Sequence, residues 1–145
     1  MIRLQPVSLD TNILAYTAGV RRVPEDEAKI QGAKSLIAEL TAQSVQVVIA
    51  AQALAELHFV LVRRTGLGAG IASTRVSQYT ELAIVIPTTD QLLSTAFDLV
   101  AEHHLQTYDA IILAASAQAG CDTLYSEDMQ AGFVWNGVEI INPFA

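Results

Sequence analysis

A chain of 145 residues is the size of one domain, and folding it buries about 70% of the surface that the unfolded chain exposes. With 52% hydrophobic and 16% charged residues it has ample apolar surface for a core, which excludes a disordered chain and a coiled coil. The net charge is −7 and all eight basic residues lie at or before Arg75, which argues against a broad electrostatic grip on a polyanion.

The opening Met1, Ile2, Arg3 and Leu4 lack the long apolar core of a signal peptide. Cys121 is the single cysteine, so neither an internal disulfide framework nor a zinc site of several thiolates can form. Both features point to a cytoplasmic protein. Val45 to Val62 is the longest apolar stretch, but Gln46, Gln52, Glu56 and His58 interrupt it, so no segment is expected to span a membrane.

Val7 to Leu9 reads as a short strand that hands over to a helix at Asp10. Pro24 and Glu25 open a helix through Leu40, Val45 to Ala50 is a second strand, and Ala51 to Arg64 is helical. Gly66, Gly68 and Gly70 break that helix; Ala72 to Leu82 forms another, and Ala83 to Ile86 is a third strand ended by Pro87. Thr89 to His104 and Thr107 to Gly120 are helical, Thr123 to Tyr125 is a fourth strand, and Val138 to Ile141 is a fifth. Phe133 and Trp135, between them, read as a late apolar anchor on the core. Short apolar strands alternating with helices predict a three-layer α/β/α sandwich around a mostly parallel sheet, with residues 1–145 forming one domain.

Ligands of such sheets bind beyond the carboxyl ends of the strands, and four carboxylates fall near that edge. Asp10 follows the first strand and begins the cluster Asp10, Thr11 and Asn12, whose oxygens suit either an N-cap or a hard cation. Glu56 has apolar helical neighbours in Ala53, Phe59 and Val60, which turns a carboxylate toward the core side of its helix. Asp109 stands in the first turn of a helix with almost no polar residue in its body, so it either serves the helix dipole or lies at the inner mouth of the sheet. Asp128, in Ser126, Glu127 and Asp128, follows the fourth strand; Ser126 could cap a turn there.

Four carboxylates converging on one edge repel each other, so such a site raises their pKa values or recruits a divalent cation. With oxygen donors only, Mg²⁺ or Mn²⁺ fits, and hydrolysis of a phosphodiester is the chemistry that a cation held this way performs most naturally. The arginine pairs Arg21, Arg22 and Arg63, Arg64 either form a local basic rim for a polyanion or are solvated surface groups. His58, His103 and His104 are read as structural: His58 faces away from Glu56, and the other two lie near a helix carboxyl terminus.

The quartet Asp10, Glu56, Asp109 and Asp128, in the contexts Leu-Asp-Thr-Asn, Ala-Glu-Leu, Tyr-Asp-Ala and Ser-Glu-Asp, resembles the PIN-domain ribonucleases, and among them the VapC-type toxins of toxin-antitoxin pairs. The resemblance implies a five-stranded parallel sheet, a Mg²⁺- or Mn²⁺-dependent endoribonuclease, a homodimer and a cognate antitoxin. It makes Asp10, Glu56, Asp109 and Asp128 the metal ligands and catalytic residues. Asn12, Ser126 and Thr11 become polar supports of that cluster.

Two other classes also begin with a strand and an aspartate. An aspartate-nucleophile phosphatase needs a second Asp two residues on, where Asn12 stands, and a late lysine, whereas the last lysine here is Lys34. A non-catalytic, Mg²⁺-binding regulatory module of receiver type needs a lysine after its final strand, where Asn142 and Pro143 stand.

Overall fold

A computed structural model describes residues 4–145 of the chain. The elements run β1 (Val7–Leu9), α1 (Thr11–Thr17), α2 (Asp26–Ala42), β2 (Val47–Ala50), α3 (Ala51–Thr65), α4 (Ala69–Leu82), β3 (Ile84–Ile86), α5 (Asp90–His103), α6 (Thr107–Gln118), β4 (Thr123–Tyr125), β5 (Val134–Trp135) and β6 (Val138–Ile141). The strands form one sheet in the order β3-β2-β1-β4-β6-β5. All three residues of β1 are buried, as are Val48, Ile49 and Ala50 of β2. Since successive strand side chains point to opposite faces, both faces of the sheet are covered and the three-layer arrangement follows.

The expected sheet of five parallel strands is corrected to six. Five strands are parallel, and β5 pairs antiparallel with β6 through Val134 to Glu139 and Trp135 to Val138. The two are joined by Asn136 and Gly137, with φ of 48° and 79°. Positive φ at both central residues is the two-residue hairpin turn that matches strand twist, and Asn-Gly is its strongest sequence signal. Phe133 and Trp135 pack against the core as expected. Two helix starts also move: α2 begins at Asp26 because Pro24 and Glu25 form a turn, and α4 begins at Ala69, so Gly70 lies inside its first turn. Gly66, at φ 70°, caps α3 in the left-handed region.

Helix α6 is the buried helix that its composition predicts: every residue from Ala110 to Ser116 is buried. It packs against α5, α3 and β2. Burial pushes the Cys121 thiol up to about 12, which makes it an inert core group. No described helix is long and apolar enough to cross a membrane.

Leu113 is fully buried in α6, so Leu113→Ala leaves a cavity at the centre of the molecule. It is expected to lower unfolding stability by about 2–5 kcal/mol, read as a lower urea midpoint at unchanged slope.

Candidate active site

Strand β1 lies between β2 and β4, so its carboxyl end opens onto the middle of the sheet edge. Asp10 stands there, 4% exposed, as the N-cap of α1, and its Oδ1 accepts a hydrogen bond from the Thr11 amide at 2.7 Å. The second oxygen accepts from the Ser126 hydroxyl at 2.6 Å, and Ser126 sits just beyond β4, the neighbouring strand. Ser126 Oγ also accepts from the Met129 amide at 3.1 Å, which shapes the turn that carries Asp128. Capping and site placement are thus the same geometry.

Asn12 spans the cluster. Its Nδ2 donates to Asp128 at 3.1 Å and to Asp10 at 3.4 Å, while its Oδ1 accepts from the Glu127 amide at 3.3 Å. The Thr11 hydroxyl donates to Glu56 Oε2 at 2.5 Å, which joins α1 to α3. Asp109, in the first turn of α6, completes the set. All four carboxylates line one cavity of about 230 Å³, together with Thr11 and Asn12. A larger cavity of about 520 Å³, walled by Leu9, Ile37, Val45, Ile49 and Leu82, contains no carboxylate and lacks the chemistry.

Burial above all raises the Asp10 pKa to about 6; the hydrogen bonds from Ser126 and Thr11 oppose the shift, and Asp109 and Glu56 add to it. Burial also raises Asp109, with repulsion from Glu56 and Asp128 behind it. Among the described residues no three of the His, Cys, Asp and Glu side chains draw together tightly enough to form a ready-made cation cage. The carboxylates share a cavity without forming such a cage. The donor set nevertheless fits a hard divalent cation: every donor is oxygen, and two carboxyls are strained by burial and mutual repulsion that a cation would relieve.

The structure corrects two sequence expectations near this site and adds two residues to it. Phe59 is 61% exposed, so of the three apolar neighbours of Glu56 only Ala53, buried, and Val60, half-buried against the core, face inward, and Glu56 lies at the margin of the stripe. The arginine pairs are split: Arg22 and Arg64 line the cavity, whereas Arg21 pairs with Glu27 and Arg63 lies over the Phe59 ring at 5.4 Å. Tyr16 and Gln106, not singled out in the sequence, also line the cavity. Tyr16 was findable, because it follows Asn12 by four residues on α1 and so shares its face. No histidine lines the cavity. His58 bonds to Ser73 at 3.2 Å, and His103, at the end of α5, packs on Phe133.

A family model for the PIN domain matches residues 7–131. The chain belongs to the PIN domain family. No curated protein matches it by sequence. By structure this PIN domain is similar to the VapC20 toxin of Mycobacterium tuberculosis, which cleaves the sarcin-ricin loop, with 22% identity and a TM-score of 0.65 over 84% of this chain and 89% of that one. It is similar to a toxin-antitoxin complex from Klebsiella pneumoniae, with 21% identity and a TM-score of 0.66 over 94% of this chain and 97% of the other. VapBC2 from Rickettsia felis, bound to a DNA fragment from its promoter, has 16% identity and a TM-score of 0.59 over 83% and 85% of the two chains. At these identities the likeness establishes the PIN fold.

The raised Asp10 gives the metal-free protein a pH signature. Its carboxyl titrates at 3.8 ordinarily and at about 6 when folded, so the folded state holds the proton more tightly. Stability therefore falls as pH rises from about 4 to about 6, and a penalty on the order of 3 kcal/mol is present above that window. In EDTA at pH 7.5, Asp10→Asn is expected to melt at a higher temperature than the natural protein. Below about pH 4 the two should converge.

Proposed function

We propose that this PIN domain is a divalent-metal-dependent endoribonuclease and the toxin of a toxin-antitoxin pair. The observation that carries the proposal is the convergence of Asp10, Glu56, Asp109 and Asp128 on one cavity at the carboxyl edge of a parallel sheet, within a PIN fold. Mg²⁺ or Mn²⁺ held by these carboxylates would lower the pKa of a water and neutralise charge on the phosphate oxygens. Thr11, Asn12 and Ser126 orient the carboxylates through the hydrogen bonds described above. Holding them fixed on α1, α3, α6 and the turn after β4 supplies the preorganisation that in-line displacement requires.

In the reaction, water oxygen bonds to phosphorus opposite the departing 3′ oxygen, and the phosphorus–O3′ bond breaks. A proton leaves the attacking water for the carboxylate cluster, and the 3′ oxygen takes up a proton as it departs. The products are a 5′-phosphate and a 3′-hydroxyl. No 2′-hydroxyl nucleophile is needed.

Partners follow from the same reading. Two of the structural neighbours are toxin-antitoxin assemblies, which supports a cognate antitoxin for this chain. Phe59, Ile71, Leu82 and Ile84, on α3, α4 and β3, are large apolar side chains about half or more exposed, which supports protein contact surfaces for an antitoxin and a homodimer.

Purified protein incubated with total cellular RNA and Mn²⁺ is expected to yield discrete new 5′-phosphate ends. EDTA should abolish them, and Asp109→Asn, folded by circular dichroism, should lower the cleavage rate at least 100-fold. An active Asp109→Asn protein would remove Asp109 from the site.

A further inference from the structure

One arginine beside the carboxylate cavity is tied down from three elements. The Arg22 guanidinium donates to the Tyr16 hydroxyl at 3.1 Å and lies 3.9 Å from Glu127 Oε2 and, through Nε, 3.9 Å from Asp26. Tyr16 is 3% exposed, donates its own hydroxyl to Glu127 Oε2 at 2.7 Å, and rests edge-on against Phe144. Glu127, whose side chain is 14% exposed, is held in turn by Lys29. The loop is fixed as well, because Asp26 accepts from the amides of Arg22 and Val23 at 3.0 and 3.3 Å. Despite these ties half of the Arg22 side chain remains open, and it lines the cavity that holds the four carboxylates.

A free arginine is a poor ligand because binding must first order its side chain. An arginine restrained by the hydroxyl of a buried tyrosine and a half-buried carboxylate has lost that freedom before the ligand arrives. These contacts run through Nε and Nη2, which leaves Nη1 to donate to a phosphate oxygen. In a chain of net charge −7, with four carboxylates around the cavity, a fixed cation at the rim also offsets repulsion of a polyanion.

We infer that Arg22 is the phosphate clamp for RNA at this site, and that Tyr16 and Glu127 are positioning residues that hold its guanidinium in place. The inference rests on the nuclease reading for its ligand, but RNA binding tests it separately from cleavage. The probe is a fluorescent single-stranded RNA titrated, in Mg²⁺, onto Asp109→Asn protein, with Kd followed across a range of salt concentrations.

Arg22→Ala is expected to raise Kd about 10-fold and to flatten the slope of log Kd against log salt by about 0.7, the value for one lost single-strand phosphate contact. Tyr16→Phe keeps the ring and its packing, and is expected to raise Kd about threefold. The double variant should bind no worse than Arg22→Ala alone, since the tyrosine acts through the arginine. Glu127→Gln should behave as Tyr16→Phe does. In cleavage by the otherwise natural protein the same substitutions should raise KM with kcat within about twofold.

Unchanged Kd and salt slope in Arg22→Ala, or additive losses in the double variant, would overturn the inference while leaving cleavage intact. Arg22-dependent RNA binding without any cleavage would support the clamp and refute the nuclease. No RNA binding by any variant would refute both.

Discussion

The carboxylate of Asp10 is the point on which the site is built. It is buried at the end of the strand that lies between β2 and β4, where an ionised group is expensive without compensation. Two hydrogen bonds, from the Thr11 amide and the Ser126 hydroxyl, offset part of that cost, and the raised pKa reports what is left. The arrangement ties the start of α1 to the turn after β4. It therefore fixes Asn12 and Asp128 along with Asp10, and a change at this one side chain propagates through the cluster.

The rest of the site inherits its geometry from the sheet. Parallel β1 and β4 bring Asp10 and Ser126 side by side although 116 positions separate them in the chain. Helix α3 leaves β2 and carries Glu56, while α6, buried almost throughout, presents Asp109 from its first turn. Like charges assembled by such rigid elements cannot disperse, so the fold itself stores the repulsion that a cation would relieve. Function in this account is a property of the sheet edge, and the helices serve to aim side chains at it.

Much of this could be seen in the amino-acid sequence because its main signals are local. Short apolar strands alternating with helices mark a parallel sheet, and an aspartate directly after a strand marks the functional edge. The parts that could not be seen depend on partners distant in sequence. Nothing near Arg22 shows that Tyr16 and Glu127 will hold it, or that Arg21 beside it will turn away to Glu27. Phe59 matched the helical stripe by spacing, yet α3 presents it to solvent, since spacing gives a face and not the width of what covers it. The missed strand β5 is different: its Asn136 and Gly137 turn was a local signal, hidden by a strand of only two residues.

The central claim is that these four carboxylates form a cation site, and calorimetric titration of the metal-free protein with Mn²⁺ tests it most directly. At pH 7.5 the account predicts saturable binding, weakened at least 10-fold at pH 5, where Asp10 is largely protonated, and weakened at least 10-fold in Asp109→Asn. Absence of saturable binding at pH 7.5, or equal affinity in Asp109→Asn, would contradict it.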